Sequence, residues 1–201
     1  MKHLTKQILL QIAPRFHGHK RQSQLRIIDA ISVRINQSLS IYGIITALRE
    51  AHFLAQICHE SDGFATLEEY ASGKAYEGRV KDLGNTQPGD GVRYKGRGLI
   101  QLTGRTNYRD IGQKLGVDLE NNPQLAADPK IAVLTACEYW KRHHLNHLAD
   151  NDDLRHITRI INGGYNGLAQ RRHYLQRAKL ALTSLEPLPP IPSGQIETMI
   201  A

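Results

Sequence analysis

Residues 44–61 constrain the fold most: Leu48, Ala51, Phe53, Leu54, Ile57 and Cys58 spread over a broad apolar face at helical spacing, the clearest helix signal in the chain. Asp62-Gly63 ends that helix, because glycine tolerates the left-handed conformation a helix terminus needs. Glu60 lies seven positions after Phe53 and three after Ile57, nearly in line with the buried stripe when each residue turns the helix by about 100°. A carboxyl there is desolvated on one side, and it sits in the last turn, where the negative end of the helix dipole opposes a second negative charge. Both effects favour the protonated form, so the spacing predicts a raised pKa, the property a general acid needs at neutral pH. The plainer reading is a helix-end glutamate that swings into solvent or pairs with a Lys or Arg.

The rest of the chain is also mainly helical in pattern. Helices are predicted over 2–13 and over 24–38, where Leu25, Ile28, Ile31 and Ile35 form a stripe; Arg15–Arg21 reads as a basic connecting loop. Residues 64–91 read as loops and turns, and 92–103 as a short strand or hairpin arm, with Ile100 and Leu102 on one face and Leu99, Gln101 and Thr103 on the other. Further helices are predicted at 106–115 (capped by Thr106, stopped by Gly116), 128–145 (Asp128 as N-cap, Pro129 in the first turn), 152–162 and 168–184. From 186 onward Pro187, Pro189, Pro190 and Pro192 mark a tail outside the packed domain. A length of 201 residues suits one substantial core. The layout is that of an α+β, lysozyme-like fold: a helical, bilobal single domain with a small β-hairpin element and a central substrate groove.

Glycosidic cleavage requires an acid and a second carboxylate acting on water or on the sugar. Glu68 and Glu69 follow Glu60 by eight and nine residues, across the Asp62-Gly63 break, so a loop can bring either back to face it. The segment Tyr94-Lys-Gly-Arg-Gly-Leu-Ile-Gln-Leu-Thr-Gly-Arg-Thr-Asn-Tyr108 then sets Gly96 and Gly98 around Arg97, which permits close backbone approach, and turns Gln101 and Thr103 to one side, where an amide and a hydroxyl suit a water or a sugar hydroxyl. It lacks the third glycine of a dinucleotide fingerprint and the Gly-Lys-Ser/Thr of a P-loop. A glycine-kinked structural hairpin is the alternative.

Three segments, His59-Glu-Ser-Asp-Gly-Phe64, Tyr94 to Thr103 with Asn107-Tyr108, and Ile161-Asn-Gly-Gly164, resemble the signature blocks of glycoside hydrolase family 19, which contains chitinases and many phage endolysins. The resemblance covers about residues 44–182 and places residues 1–43 as an N-terminal helical part of a catalytic domain spanning 1–185, with 186–201 as the tail. It implies Glu60 as general acid, Glu69 as general base in the bacterial and phage pattern, and Thr103 as a holder of the attacking water. It also implies substrate contacts at His59, Tyr94, Gln101, Asn107 and Asn162, and an arginine supporting the acid pair at Arg171, with Arg172 as the neighbouring register. Members of the family invert the anomeric centre and need neither metal nor cofactor. The family pattern often has Gly where this chain has Asp62, which adds a negative charge expected to raise the Glu60 pKa further.

Chitin and peptidoglycan share a β-1,4 amino-sugar backbone. The net charge of +7 suits an anionic wall, and an endolysin-type muramidase is the expectation, with chitinase as the alternative. A wall-binding or nucleic-acid-binding protein without catalysis is the alternative of another class, although one Trp and scattered Lys/Arg make a thin nucleic-acid signal. Cys58 and Cys137 are expected to be free, buried thiols. His143 and His147 lie four apart on the 128–145 helix and its extension, but no zinc motif surrounds them and a solvated face is expected. The N-terminus has no apolar run long enough for a signal peptide and no membrane span is found, so the expectation is a monomer made in the cytoplasm that reaches the periplasmic wall after holin-type release.

Overall fold

A computed structural model describes residues 4–183. The tail assigned from 186 onward lies outside the described residues.

The helix that opened the sequence reading is the structural centre. It runs over α4 (Ala47–Glu60), with the Thr46 side chain accepting from the Arg49 amide at its start. Every residue from Glu50 to Cys58 is buried, because the helix is wrapped on several sides. Its main partner is α11 (Leu168–Thr183), and α1 (Lys6–Ile12) and α9 (Leu145–Asp150) pack on it as well. Phe53 meets Trp140 of α8 (Pro129–Arg142) edge to face, with centroids 5.4 Å apart. Cys58 and Cys137 are buried free thiols within this core.

The end of α4 is built with care. Ser61 donates its hydroxyl to the Ile57 carbonyl (2.6 Å) and accepts from the Phe64 amide (3.1 Å). Asp62, Gly63 and Phe64 all take positive φ (50°, 68° and 63°), so the chain reverses sharply just past Glu60. Left-handed Asp and Phe are strained and persist only where the surroundings hold them. Here Gln24 of α2 (Gly18–Ser32) donates to the Gly63 carbonyl at 2.7 Å, and Pro14 lies so close that a Cβ on Gly63 would come within 2.6 Å of it.

A second, smaller core gathers Tyr94, Leu102, Tyr108, Ile111, Leu119 and Ala126 around α7 (Arg105–Leu115), and Tyr139 of α8 packs against both cores. The mainly helical, two-lobed reading therefore holds, and its details change in five places. Residues 64–91, expected as loops and turns, contain a short helix at Val80–Leu83 and a 3-10 turn at Lys74–Tyr76. The strand expected over 92–103 is absent: Val92 and Arg93 close the short helix α6 (Asp90–Arg93), which follows α5 (Val80–Leu83), and the hairpin shrinks to a turn closed by two backbone bonds between Arg97 and Leu102 (3.1 and 2.8 Å). Gln101 at φ 52° breaks the two-residue alternation, so Leu99, Ile100 and Leu102 are all buried. The predicted 24–38 helix is broken at Val33-Arg34 into α2 and α3 (Ile35–Ile41), and α2 begins already at Gly18, which makes part of the supposed basic loop helical. Gly104 rather than Thr106 caps α7; Thr106 lies inside the first turn. Finally, α8 stops at Arg142 and His144 turns left-handed, so His143 and His147 do not share a helix. The remaining predicted helices appear as α8, α10 (Leu154–Asn162) and α11, and no described helix is long and apolar enough to cross a membrane.

Candidate active site

Glu60 ends α4 with its side chain only 14% exposed, and its Oε1 accepts from an Arg171 Nη at 2.5 Å. Arg171, from the first turn of α11, is fully buried; a second guanidinium nitrogen donates to the Gln56 side-chain oxygen, and Gln56 in turn donates to Thr158 of α10 at 3.3 Å. Arg172 is exposed, which settles which of the two arginines meets the acid. Burial pushes the Glu60 carboxyl above the ordinary glutamate range, and Arg171 pulls part of the way back. The raised pKa expected from spacing is therefore present, though desolvation rather than Asp62 causes it. Asp62 is neutralised by Lys20 at 2.7 Å and accepts the Tyr70 hydroxyl at 2.9 Å, and its charge is not felt at Glu60.

Glu69 sits in a different environment. Its Oε2 accepts from the Gly96 amide (3.0 Å) and its Oε1 from the Tyr76 hydroxyl (2.9 Å), while its own amide donates to the Gly96 carbonyl (2.9 Å). Burial and the neighbouring Glu69 push the Tyr76 phenol up to about 12, so Tyr76 remains a donor. Glu68 points elsewhere and is exposed, held by Lys95 and Arg97 at 3.2 Å each. Of the two carboxylates left open by spacing, Glu69 is thus the one whose carboxyl makes no ion pair among the described residues, although the Lys95 ammonium donates to its backbone carbonyl at 3.2 Å.

Gly96 is the hub of this side. A Cβ there would come within 2.8 Å of the Gln101 Oε1 and 3.2 Å of the Glu69 Oε2, so both oxygens converge over it. The Thr103 hydroxyl donates to the Gln101 carbonyl (2.9 Å), and Asn107 of α7 donates to the Thr103 carbonyl (2.8 Å). Glu69, Gln101, Thr103 and Asn107 are therefore one half-exposed constellation. Gly96→Ala is expected to cost about tenfold to a hundredfold in kcat by displacing Glu69 and Gln101; steady-state kinetics beside an unchanged melting curve checks this.

The charge of Glu60 helps raise the hydroxyl of Tyr139, the residue packed against both cores, and the charges of Glu68 and Glu69 help raise that of Tyr108 in the smaller core.

The other expected contacts divide. His59 packs against Gly167, where an added Cβ would come within 2.1 Å of its ring; burial, assisted by the Arg171 charge, pushes its pKa down to about 4. It clamps α4 to the loop before α11 as a neutral ring. Tyr94 is a correction: it is 1% exposed, donates its hydroxyl to the Glu120 carbonyl (2.9 Å) and lies under Arg105, so it supports the smaller core and cannot reach a sugar. Asn162 stands exposed at the end of α10 and accepts from the Asn166 amide (3.3 Å). Sequence reasoning missed Gln56 and Tyr76. Gln56 had a signal, a polar residue one turn before Glu60 in an otherwise apolar stripe; Tyr76, in a loop, had none.

The family 19 model described as chitinase class I matches residues 43–152, which include Glu60, Glu69, Gln101, Thr103 and Asn107. The chain belongs to glycoside hydrolase family 19. A family 19 domain-containing protein of Haemophilus influenzae is 32% identical over 175 residues, covering 72% of this chain and 84% of that protein. An endochitinase of Arabidopsis thaliana is 36% identical over 131 residues, covering 64% of this chain but only 44% of the plant protein, so the chain spans less than half of that relative. Among solved structures, chitinase C from Streptomyces griseus HUT6037 superposes with a TM-score of 0.61 at 23% identity, over 94% of this chain and 79% of that one. The class IV family 19 chitinase of Zea mays does so with a TM-score of 0.59 at 23% identity, over 89% and 90%. Those structural likenesses show the family 19 fold. Membership makes the chain a glycoside hydrolase acting on polysaccharide.

Proposed function

We propose that this family 19 hydrolase is an endolysin-type muramidase, cleaving the β-1,4 bond between N-acetylmuramic acid and N-acetylglucosamine with inversion. Glu60 donates its proton to the departing glycosidic oxygen. Glu69 takes a proton from a water that attacks the opposite face of the sugar, and Thr103 helps hold that water. Gln101, Asn107 and Asn162 contact the polymer. The observation that carries this reading is the contrast between the carboxyls: Glu60 is buried with its protonated form favoured, whereas Glu69 uses both oxygens as acceptors for Tyr76 and Gly96. Unlike environments assign unlike roles. The net charge of +7 favours an anionic wall as the polymer, reached after holin-type release. Chitinase is the second reading, favoured by the similarity to plant endochitinases.

Outer-membrane-permeabilised Gram-negative cells are expected to clear with the wild type and not with Glu60→Gln, and mass analysis should find reducing N-acetylmuramic acid ends. Equal clearing by both proteins would point to a non-catalytic wall binder. Intact sacculi beside efficient cleavage of chitin oligosaccharides would make the protein a chitinase.

A further inference from the structure

Beyond the carboxyl pair, a cavity of about 840 Å³ lies where the end of α3 meets α7 and α8. Its lining includes Tyr42, Asp110, Lys114, Glu138, Lys141 and Arg142, with the His144 ring beside them. On α7 it lies along the helix face that also carries Asn107. On α7, Asn107 is followed at three and seven residues by Asp110 and Lys114, which at helical periodicity occupy one side. On α8 the cavity takes Lys141 and Arg142 from the last turn, of which Arg142, three residues after Tyr139, shares the face of that residue between the two cores. A polymer contacting Asn107 therefore has this cavity within one or two helical turns.

The charge pattern is uneven. Each carboxylate already has a neighbour: Asp110 accepts from Arg142 at 3.1 Å, and Glu138 lies beside the Tyr42 hydroxyl, whose pKa burial and that carboxylate raise. Lys114 and Lys141 form no ion pair among the described residues; Lys141 only hangs over the Tyr42 ring, 5.7 Å from its centroid. Two exposed ammonium groups above a roomy cavity, with the local acids spoken for, are arranged for carboxylates brought in by a ligand. The chitin backbone carries no charge. The peptide stems of peptidoglycan carry carboxylates at short intervals, together with amides and methyl groups that suit the Tyr42 face and the exposed Ile41 at the cavity lip.

We propose that this cavity receives the acidic peptide substituents of the glycan, with Lys114 and Lys141 binding their carboxylates, and thereby sets a preference for peptide-bearing wall polymer over unsubstituted amino-sugar chains. The inference deepens the muramidase reading and rests on it for the polymer.

The test compares the full chain with a Lys114→Glu/Lys141→Glu variant on three substrates: sacculi with intact stems, glycan strands stripped of stems by an amidase, and chitin hexaose. The variant should lose about tenfold to a hundredfold in kcat/KM on stem-bearing sacculi, the scale of one or two charged hydrogen bonds, and change less than twofold on whichever stem-free substrates the wild type cleaves. A loss of equal size on all cleaved substrates, or none on sacculi, overturns the proposal. Should the wild type cut chitin and no wall glycan, the muramidase reading fails by itself, and calorimetry with a soluble acidic stem tetrapeptide then decides: binding by wild type and not by the variant supports the cavity assignment, and no binding by wild type overturns it.

Discussion

Replacing Glu60 by glutamine is expected to lower kcat by about 10²- to 10⁴-fold, the contribution of a positioned general acid, without loss of the fold. Glutamine keeps the shape and can still face Arg171 but has no proton to give the glycosidic oxygen. Stability should not suffer at neutral pH, and the sign follows from the direction of the pKa shift. Burial raises the Glu60 pKa by more than Arg171 lowers it, so the folded state holds this proton more tightly than the unfolded chain does. The resulting stabilisation is fully present below the ordinary glutamate pKa and is lost as pH rises through the raised one. Wherever the wild-type carboxyl is ionised that contribution is gone, whereas a neutral isostere has nothing there to lose. Because the substitution also leaves the buried Arg171 guanidinium facing a neutral amide, the two effects oppose each other and the melting temperature of Glu60→Gln at pH 7 is expected to stay close to that of the wild type, while hydrolysis disappears into the background. The same direction of shift implies that the alkaline limb of the wild-type kcat/KM profile belongs to Glu60 and lies above the ordinary carboxylate range.

Arg171→Met should have the largest effect on stability. The guanidinium is fully buried and bridges Glu60 and Gln56, tying α11 to α4 at the main helix contact. Removing one partner of a buried pair leaves the other charge uncompensated, at about 3–5 kcal/mol, or roughly 6–20 °C in melting temperature for a domain of this size. Two controls separate this from general disruption. Arg172→Met, exposed on the same turn, should stay within about 0.5 kcal/mol of wild type. Adding Glu60→Gln to Arg171→Met should recover part of the loss, because the stranded carboxylate is gone; a double-mutant cycle measured by chemical denaturation reads that coupling. With Arg171 absent, the Glu60 pKa should rise further, moving the alkaline limb of any residual activity upward.

How much of this was legible beforehand depends on which physical signal each part carries. The central helix announced itself because its apolar stripe is wide, and Glu60 could be placed in that stripe by counting turns. Arg171 became visible only through the family resemblance, since a buried arginine one position from an exposed one leaves no periodic trace. Glu69 could not be told from Glu68 by spacing, because they are neighbours in a loop; the structure separates them by what they touch, Tyr76 and Gly96 against Lys95 and Arg97. The 92–103 segment misled because its alternating pattern looks extended, yet one left-handed residue, Gln101, folds it into a turn and buries three apolar side chains together. Tyr94 misled for a related reason: a signature position need not touch the substrate, and this one fills the smaller core. The charge of Asp62 was legible, but its pairing with Lys20, more than forty residues away, was not.

Burial holds the Glu60 carboxyl above the ordinary glutamate range, and the acid role proposed for it depends on that shift. A ¹³C-carboxylate NMR titration of the wild type, with the Glu60 signal assigned by its loss in Glu60→Gln, measures that property without substrate. The expected midpoint lies above the ordinary glutamate value of about 4.3. A midpoint at or below that value would mean that Arg171 outweighs desolvation, leaving residue 60 ionised at working pH and without a proton to give.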